Sequence, residues 1–112
     1  MTTLYITDPI FLEHEALDGH PERPDRLRAI EKALAAPAFA ALDRRGAPMA
    51  DFATLVTAHD EDYVAMIRDA IPTEGFVRID ADTALSPKSF IAASHAAGAS
   101  SARWKAAMIW KD

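Results

Sequence analysis

The sequence predicts a mainly helical segment, about three helices, that also contains one or two short β-strands. Two stretches place apolar residues three and four positions apart, which is the spacing of an amphipathic helix. A third stretch begins with Ser86-Pro87, a serine cap followed by a proline in the first turn, which is typical of a helix start. The apolar run at residues 4–6 ends at Asp8-Pro9 and predicts a buried strand followed by a turn.

The first two helices have recognisable beginnings. Pro24 is suited to a first helical position and Pro37 ends the pattern, so we expect a helix over residues 24–36. Asp60 is a suitable N-cap for the second helix. The apolar stripe of the first helix is Leu27, Ile30 and Leu34, and that of the second, which we expect in the core, is Tyr63, Val64, Ile67 and Ile71.

The segment between these helices is less clearly defined. Residues 44–48 (RRGAP) predict a turn, whereas the short apolar run at residues 52–56 is compatible with either a strand or a helix. The strand at residues 4–6 cannot satisfy its own backbone groups, so the second run, another segment or another chain must pair with it. This unpaired strand is the first indication of an incomplete domain.

Composition excludes several classes of function. The 112 residues correspond to one domain, carry a net charge of −5 and include no cysteine. The negative charge and the lack of a basic stripe exclude a nucleic-acid-binding role, and no stretch is apolar enough to span a membrane. The lack of cysteine excludes disulfides and thiolate metal sites. Together with the absence of a visible secretory signal, it favours a cytoplasmic location.

Three stretches, in this order and at this separation, indicate a family. They are residues 18–27 (DGHPERPDRL), residues 57–64 (TAHDEDYV), and residues 80–89 (DADTALSPKS) with the small-residue helix up to Gly98. The combination resembles the opening of the histone deacetylase and acetylpolyamine amidohydrolase superfamily. After Gly98 the resemblance fades. We therefore expect residues 1–98 to be the N-terminal segment of a deacetylase-like domain and residues 99–112 to be a divergent tail.

The resemblance implies an α/β fold of the arginase and deacetylase type, with a central parallel sheet. It also implies hydrolysis of acetyl-lysine or an acetylated polyamine, with a zinc ion that activates water and a histidine pair that transfers protons. In the family, the zinc ligands and these histidines lie downstream of the matched region. We therefore expect no catalytic residue and no zinc in the 112-residue chain, which should be inactive alone.

The resemblance also assigns substrate-binding residues. His20 and Pro21 match the rim of the substrate tunnel, and the alternative is a plain surface loop. Asp82 matches a carboxylate that accepts hydrogen bonds from substrate backbone amides, and Asp80 is the adjacent rival for that role. The alternative is an acidic loop that caps the next helix.

Arg26 matches an arginine beside an internal channel that is proposed for acetate release, where a guanidinium could bind a carboxylate. The alternative is a surface ion pair with Glu22 or Asp25. We interpret the remaining histidines of the matched region, His59 and His95, as structural.

Two other functions are compatible with the sequence. In the first, the chain is a non-catalytic interaction module that forms a homo-oligomer, with Trp104 and Trp110 at the interface. In the second, the loop from His14 to Glu22 binds a metal ion, since Asp18-Gly19-His20 has the spacing of a zinc-binding pair.

Overall fold

The structure is a computed structural model that describes the backbone of residues 2–109 and the side chains of residues 2–101. It contains helices and short strands in mixed order along the chain. Single 3₁₀ turns also occur at Pro9–Glu13 and Pro37–Phe39. No helix in the described part is long and apolar enough to cross a bilayer. The elements are β1 (Leu4–Thr7), α1 (Pro24–Leu34), β2 (Asp43–Gly46), α2 (Phe52–Leu55), α3 (Glu61–Ala70), β3 (Val77–Arg78), β4 (Ala84–Leu85) and α4 (Ser89–Ile109).

β1 and β2 form a parallel pair, in which Leu4 lies opposite Asp43 and Thr7 lies opposite Gly46. Parallel strands require a crossover connection, and α1 lies within it. The turn expected at residues 44–48 is therefore wrong, because most of that segment is the second strand. The apolar run at residues 52–56, which was left open, forms the single turn of α2.

Side-chain contacts explain why a strand of sequence DRRG is stable. The guanidinium carbon of Arg44 lies 5.5 Å from the centre of the Tyr5 ring on β1, and Arg44 also donates a hydrogen bond to the Leu34 carbonyl at the end of α1. Arg45 forms an ion pair with Asp43 at 2.9 Å. These contacts are polar, and those of Arg44 are made with other elements, so the apolar period of the sequence could not reveal the strand.

Helices α1 and α3 confirm the sequence prediction of their type and of their starts. Pro24 is the first residue of α1, and the Asp60 carboxylate caps α3 by accepting the Asp62 amide at 3.0 Å. Val64 is buried, as expected, at 5% exposure. Tyr63 was also expected in the core, and this is wrong: it lies on the flank of α3 with 49% exposure.

β3 and β4 form an antiparallel hairpin, with Val77 opposite Leu85 and Arg78 opposite Ala84. The hairpin raises the number of strands above the one or two expected. Its loop is closed by a hydrogen bond from the Ile79 amide to the Thr83 carbonyl at 3.0 Å.

The long helix α4 passes close to the chain that follows β2. The Ala50 amide donates to the Ser94 carbonyl at 2.9 Å, and the His95 ring contacts the Ala47 carbonyl at 2.7 Å. A Cβ atom placed on Gly98 would lie 1.7 Å from the Pro48 carbonyl oxygen, so only glycine fits at this crossing. The expected interface role of the two tryptophans lies outside the described side chains.

The buried core of the described residues is small and contains many alanines. Eight large apolar side chains are instead at least one-third exposed, and Met49 is the most exposed of them at 61%. Three buried serines supplement the apolar residues. The buried apolar residues are Ala47, Ala50, Val64, Ala84, Leu85 and Ala92, and the serines are Ser86, Ser89 and Ser94.

The substitution Gly98→Ala tests the crossing. It should lower the free energy of unfolding by about 2 kcal/mol or more, because overpacking against a fixed backbone outweighs the ~1 kcal/mol that alanine contributes to a helix. The measurement is a urea titration followed by circular dichroism. Gly46→Ala is the control, since a Cβ there meets nothing within 4 Å. Equal midpoints for the two variants would contradict the assigned packing.

Candidate functional site

Two loops that are distant in sequence meet around one cavity. Nε2 of the His20 ring lies 3.0 Å from the Asp82 carbonyl oxygen. The three residues for which the sequence predicted a substrate-binding role therefore lie around one open cavity of about 570 Å³. The cavity is lined by Leu17, Asp18, Gly19, His20, Pro21, Arg78, Ala81 and Asp82.

The loop that carries His20 is shaped by a tight turn. The His20 amide donates to the Leu17 carbonyl at 3.0 Å, and Gly19 has a φ of 77°, a conformation that side chains other than glycine rarely adopt. Nδ1 of His20 then accepts the Glu22 amide at 3.1 Å. The imidazole is thus held by its own loop on one side and by the Asp82 loop on the other.

In the second loop, the two neighbouring aspartates have different surroundings. The Asp80 carboxylate accepts the Asp82 amide at 2.8 Å. This bond, with a further one from the Thr83 hydroxyl, lowers the pKa of Asp80 below its usual value. The carboxylate of Asp82 accepts no hydrogen bond from a described residue, and Asp82 lines the cavity. Asp80 therefore shapes the loop, and Asp82 presents the available carboxylate.

A buried hydroxyl network joins the His20 loop to the start of α4. The Ser89 hydroxyl lies 2.6 Å from Nδ1 of His14 and accepts the Ser86 amide at 2.8 Å. The Ser86 hydroxyl, in turn, accepts the Glu15 amide at 3.0 Å and lies 3.0 Å from the Ser89 hydroxyl. Sequence reasoning identified Ser86 as a cap and considered His14 only as a metal ligand, and it missed Ser89. The available signal was that Ser89 follows Ser86 by three residues, the position at which a capping box carries Glu or Gln.

Arg26 is exposed and lines a second cavity, of about 440 Å³, which has mainly apolar walls. Its guanidinium forms no ion pair with Glu22 or Asp25 in the described structure, because Asp25 pairs with Arg28 at 2.7 Å. The surface ion pair considered from the sequence is therefore not formed. The polar residues that share this cavity with Arg26 are His14, Glu22, Thr83 and Ser89.

The described side chains, those of residues 2–101, do not assemble a set of metal ligands. No three histidine, aspartate or glutamate side chains among them are grouped so that they could hold an ion. In particular, Nδ1 of His14 contacts a serine, and both ring nitrogens of His20 contact backbone groups. The loop from His14 to Glu22 therefore does not fit a zinc site.

The other two histidines have contacts of a structural kind. Nδ1 of His95 lies 2.7 Å from the Ala47 carbonyl and 3.9 Å from the Asp8 carboxylate, contacts of the kind that a structural histidine makes. His59 is exposed just before α3, and its ring centre lies 6.2 Å from that of Tyr63.

Comparison with known proteins finds a matching family model and a structure of similar fold. The family model of the histone deacetylase domain matches residues 20–111. Among solved structures, the chain is similar to the HD domain of HDA15, with a TM-score of 0.76 and 26% sequence identity. The alignment covers 88% of this chain but 30% of that one. The match confirms the predicted α/β fold class. No curated protein matches the sequence.

The hydroxyl network is tested by Ser89→Ala. This change removes the acceptor of the buried Ser86 amide and should cost about 1–3 kcal/mol of unfolding free energy, because a buried donor without a partner is unfavourable. Thermal unfolding of the purified chain measures the effect. The exposed Ser100→Ala is the matched control and should change stability by less than about 0.5 kcal/mol. If both variants unfold alike, the network does not stabilise the loop.

Proposed function

Because the chain belongs to the histone deacetylase domain family, we propose that it forms the substrate-entry part of a zinc-dependent deacetylase acting on acetyl-lysine or an acetylated polyamine. One observation carries the proposal most directly. The loops of His20 and Asp82, which the sequence linked to substrate separately, meet around one cavity. A single entry site accounts for both loops, whereas two unrelated surface loops would not need to converge.

In this proposal, the Asp82 carboxylate orients the substrate. A carboxylate without an internal partner can accept two hydrogen bonds, which suits the backbone amides of an extended peptide or the ammonium groups of a polyamine. Pro21 and His20 also line the cavity. The site therefore contributes binding and orientation.

Arg26 is proposed to act behind this entrance. Its cavity has mainly apolar walls, and its guanidinium has no ion-pair partner in the described structure, so it can bind a small carboxylate such as the acetate released by hydrolysis. The zinc ligands and the proton-transferring histidines belong, in the same proposal, to residues outside these 112. That division of labour implies that the chain alone does not hydrolyse the substrate.

A chimera tests this function. The chain replaces the matching segment of the HDA15 HD domain, and hydrolysis of an acetyl-lysine peptide is measured. The chimera should be active and the 112-residue chain inactive. Asp82→Ala in the chimera should reduce kcat/KM by about 10- to 100-fold, the loss expected for hydrogen bonds to a charged group. Asp69→Ala, an exposed site on α3, is the control and should retain activity. Unchanged activity in the Asp82 variant would refute the assigned role.

A second candidate function is self-association, favoured by the exposed apolar side chains of α1 and α3. Ile30 and Met66 are each more than two-fifths exposed, and paired parallel strands are normally covered on both faces. A second copy of the chain could cover these surfaces, as in the interaction module considered from the sequence.

Native mass spectrometry separates this candidate from the first. A stable dimer, lost in the double variant Ile30→Glu/Met66→Glu but retained in a matched Glu31→Gln/Asp69→Asn control, would support self-association. A monomer at micromolar concentration would exclude it and would leave these faces to the rest of a deacetylase domain.

A further inference from the structure

The His20 ring has partners of fixed polarity on both nitrogens. The Glu22 amide can only donate, so Nδ1 must accept and cannot carry a proton. The Asp82 carbonyl can only accept, so Nε2 must carry the proton. These two contacts together define one neutral tautomer, and they leave no ring nitrogen to bind a substrate.

We propose that His20 is a positioning residue, which as the neutral Nε2–H tautomer holds the Asp82 loop at the cavity without itself binding substrate polar groups. The importance of Asp82 for substrate rests on the proposed function. The hydrogen bond that positions Asp82 does not depend on the proposed function. Within the described part of the chain, the His20–Asp82 contact is the one hydrogen bond that joins residues 14–22 to residues 78–83. Its loss would therefore uncouple the two walls of the cavity.

A second imidazole fixes the base of the same loop. If Nδ1 of His14 donated to Ser89, the Ser89 hydroxyl would donate to Ser86, whose own hydroxyl proton would then have no acceptor in a buried position. If Nδ1 accepts, the Ser86 hydroxyl donates a hydrogen bond to Ser89, and the Ser89 hydroxyl donates one to His14. Every polar group of the network then has a partner. His14 is thus also the Nε2–H tautomer. The contacts of His14 and Glu15 with Ser89 and Ser86 thus anchor the start of the loop that carries His20.

The test uses nuclear magnetic resonance of the 112-residue chain. Long-range ¹H–¹⁵N correlations report which ring nitrogen carries the proton, and hydrogen exchange reports the stability of the loop through the Ile79 and Asp82 amides. In the unmodified chain, His20 should show the Nε2–H pattern. His20→Ala should speed exchange of both amides about five-fold, as the loss of one hydrogen bond predicts. The exposed His59→Ala is the control and should leave them unchanged.

Two conservative variants separate positioning from a general loss of structure. His20→Gln places an amide donor near the position of Nε2 and should restore slow exchange. His20→Asn keeps an acceptor near Nδ1 but is too short to reach Asp82, so it should behave like alanine. An Nδ1–H or doubly protonated ring at neutral pH, or equal exchange in the Gln and Ala variants, would overturn the proposal. Because this test involves no substrate, its failure would not decide the outcome of the chimera experiment.

Discussion

The backbone contact between α4 and the segment after β2 is the constraint on which the other parts of the structure depend. Gly98 allows the helix to approach the Pro48 carbonyl, and the Ser94 carbonyl then accepts the Ala50 amide. This contact fixes the end of β2 and therefore the parallel pair. It also fixes the direction in which α4 begins, where Ser86 and Ser89 hold the loop of His14. The positions of the parallel strand pair and of the candidate site are thus both set by α4.

Hydrogen bonds carry much of the organisation that a large apolar core would provide elsewhere. Alanine side chains bury little area, so each contributes little hydrophobic free energy. Ser86 and Ser89 are buried, and their partners include backbone amides as well as His14. Buried polar groups of this kind tolerate few alternative arrangements, because an unpaired donor costs more than a paired one contributes. The consequence is a loop with a defined position despite the small core.

The sequence predicted those parts whose signals are local. The cap at Asp60 and the proline at the start of α1 mark their helices within a few residues, and the structure confirms both. β2 could not be predicted in this way, since its charged residues are stabilised by Tyr5 and by the end of α1. Likewise, family resemblance pointed to His20 and Asp82 separately. Their mutual hydrogen bond spans 62 residues and has no sequence pattern.

The parallel strand pair and the candidate site differ in how far the described residues complete them. The parallel pair leaves β2 largely exposed, although parallel strands are normally covered on both faces, and the chain covers 30% of the length of the HDA15 HD domain. The cavity, by contrast, lies between the His20 and Asp82 loops, which are held by hydrogen bonds among residues of this chain. Its geometry therefore does not require the remaining sheet. Loops that are ordered before a ligand arrives lose less conformational entropy on binding, so under the proposed function this early ordering would favour substrate affinity.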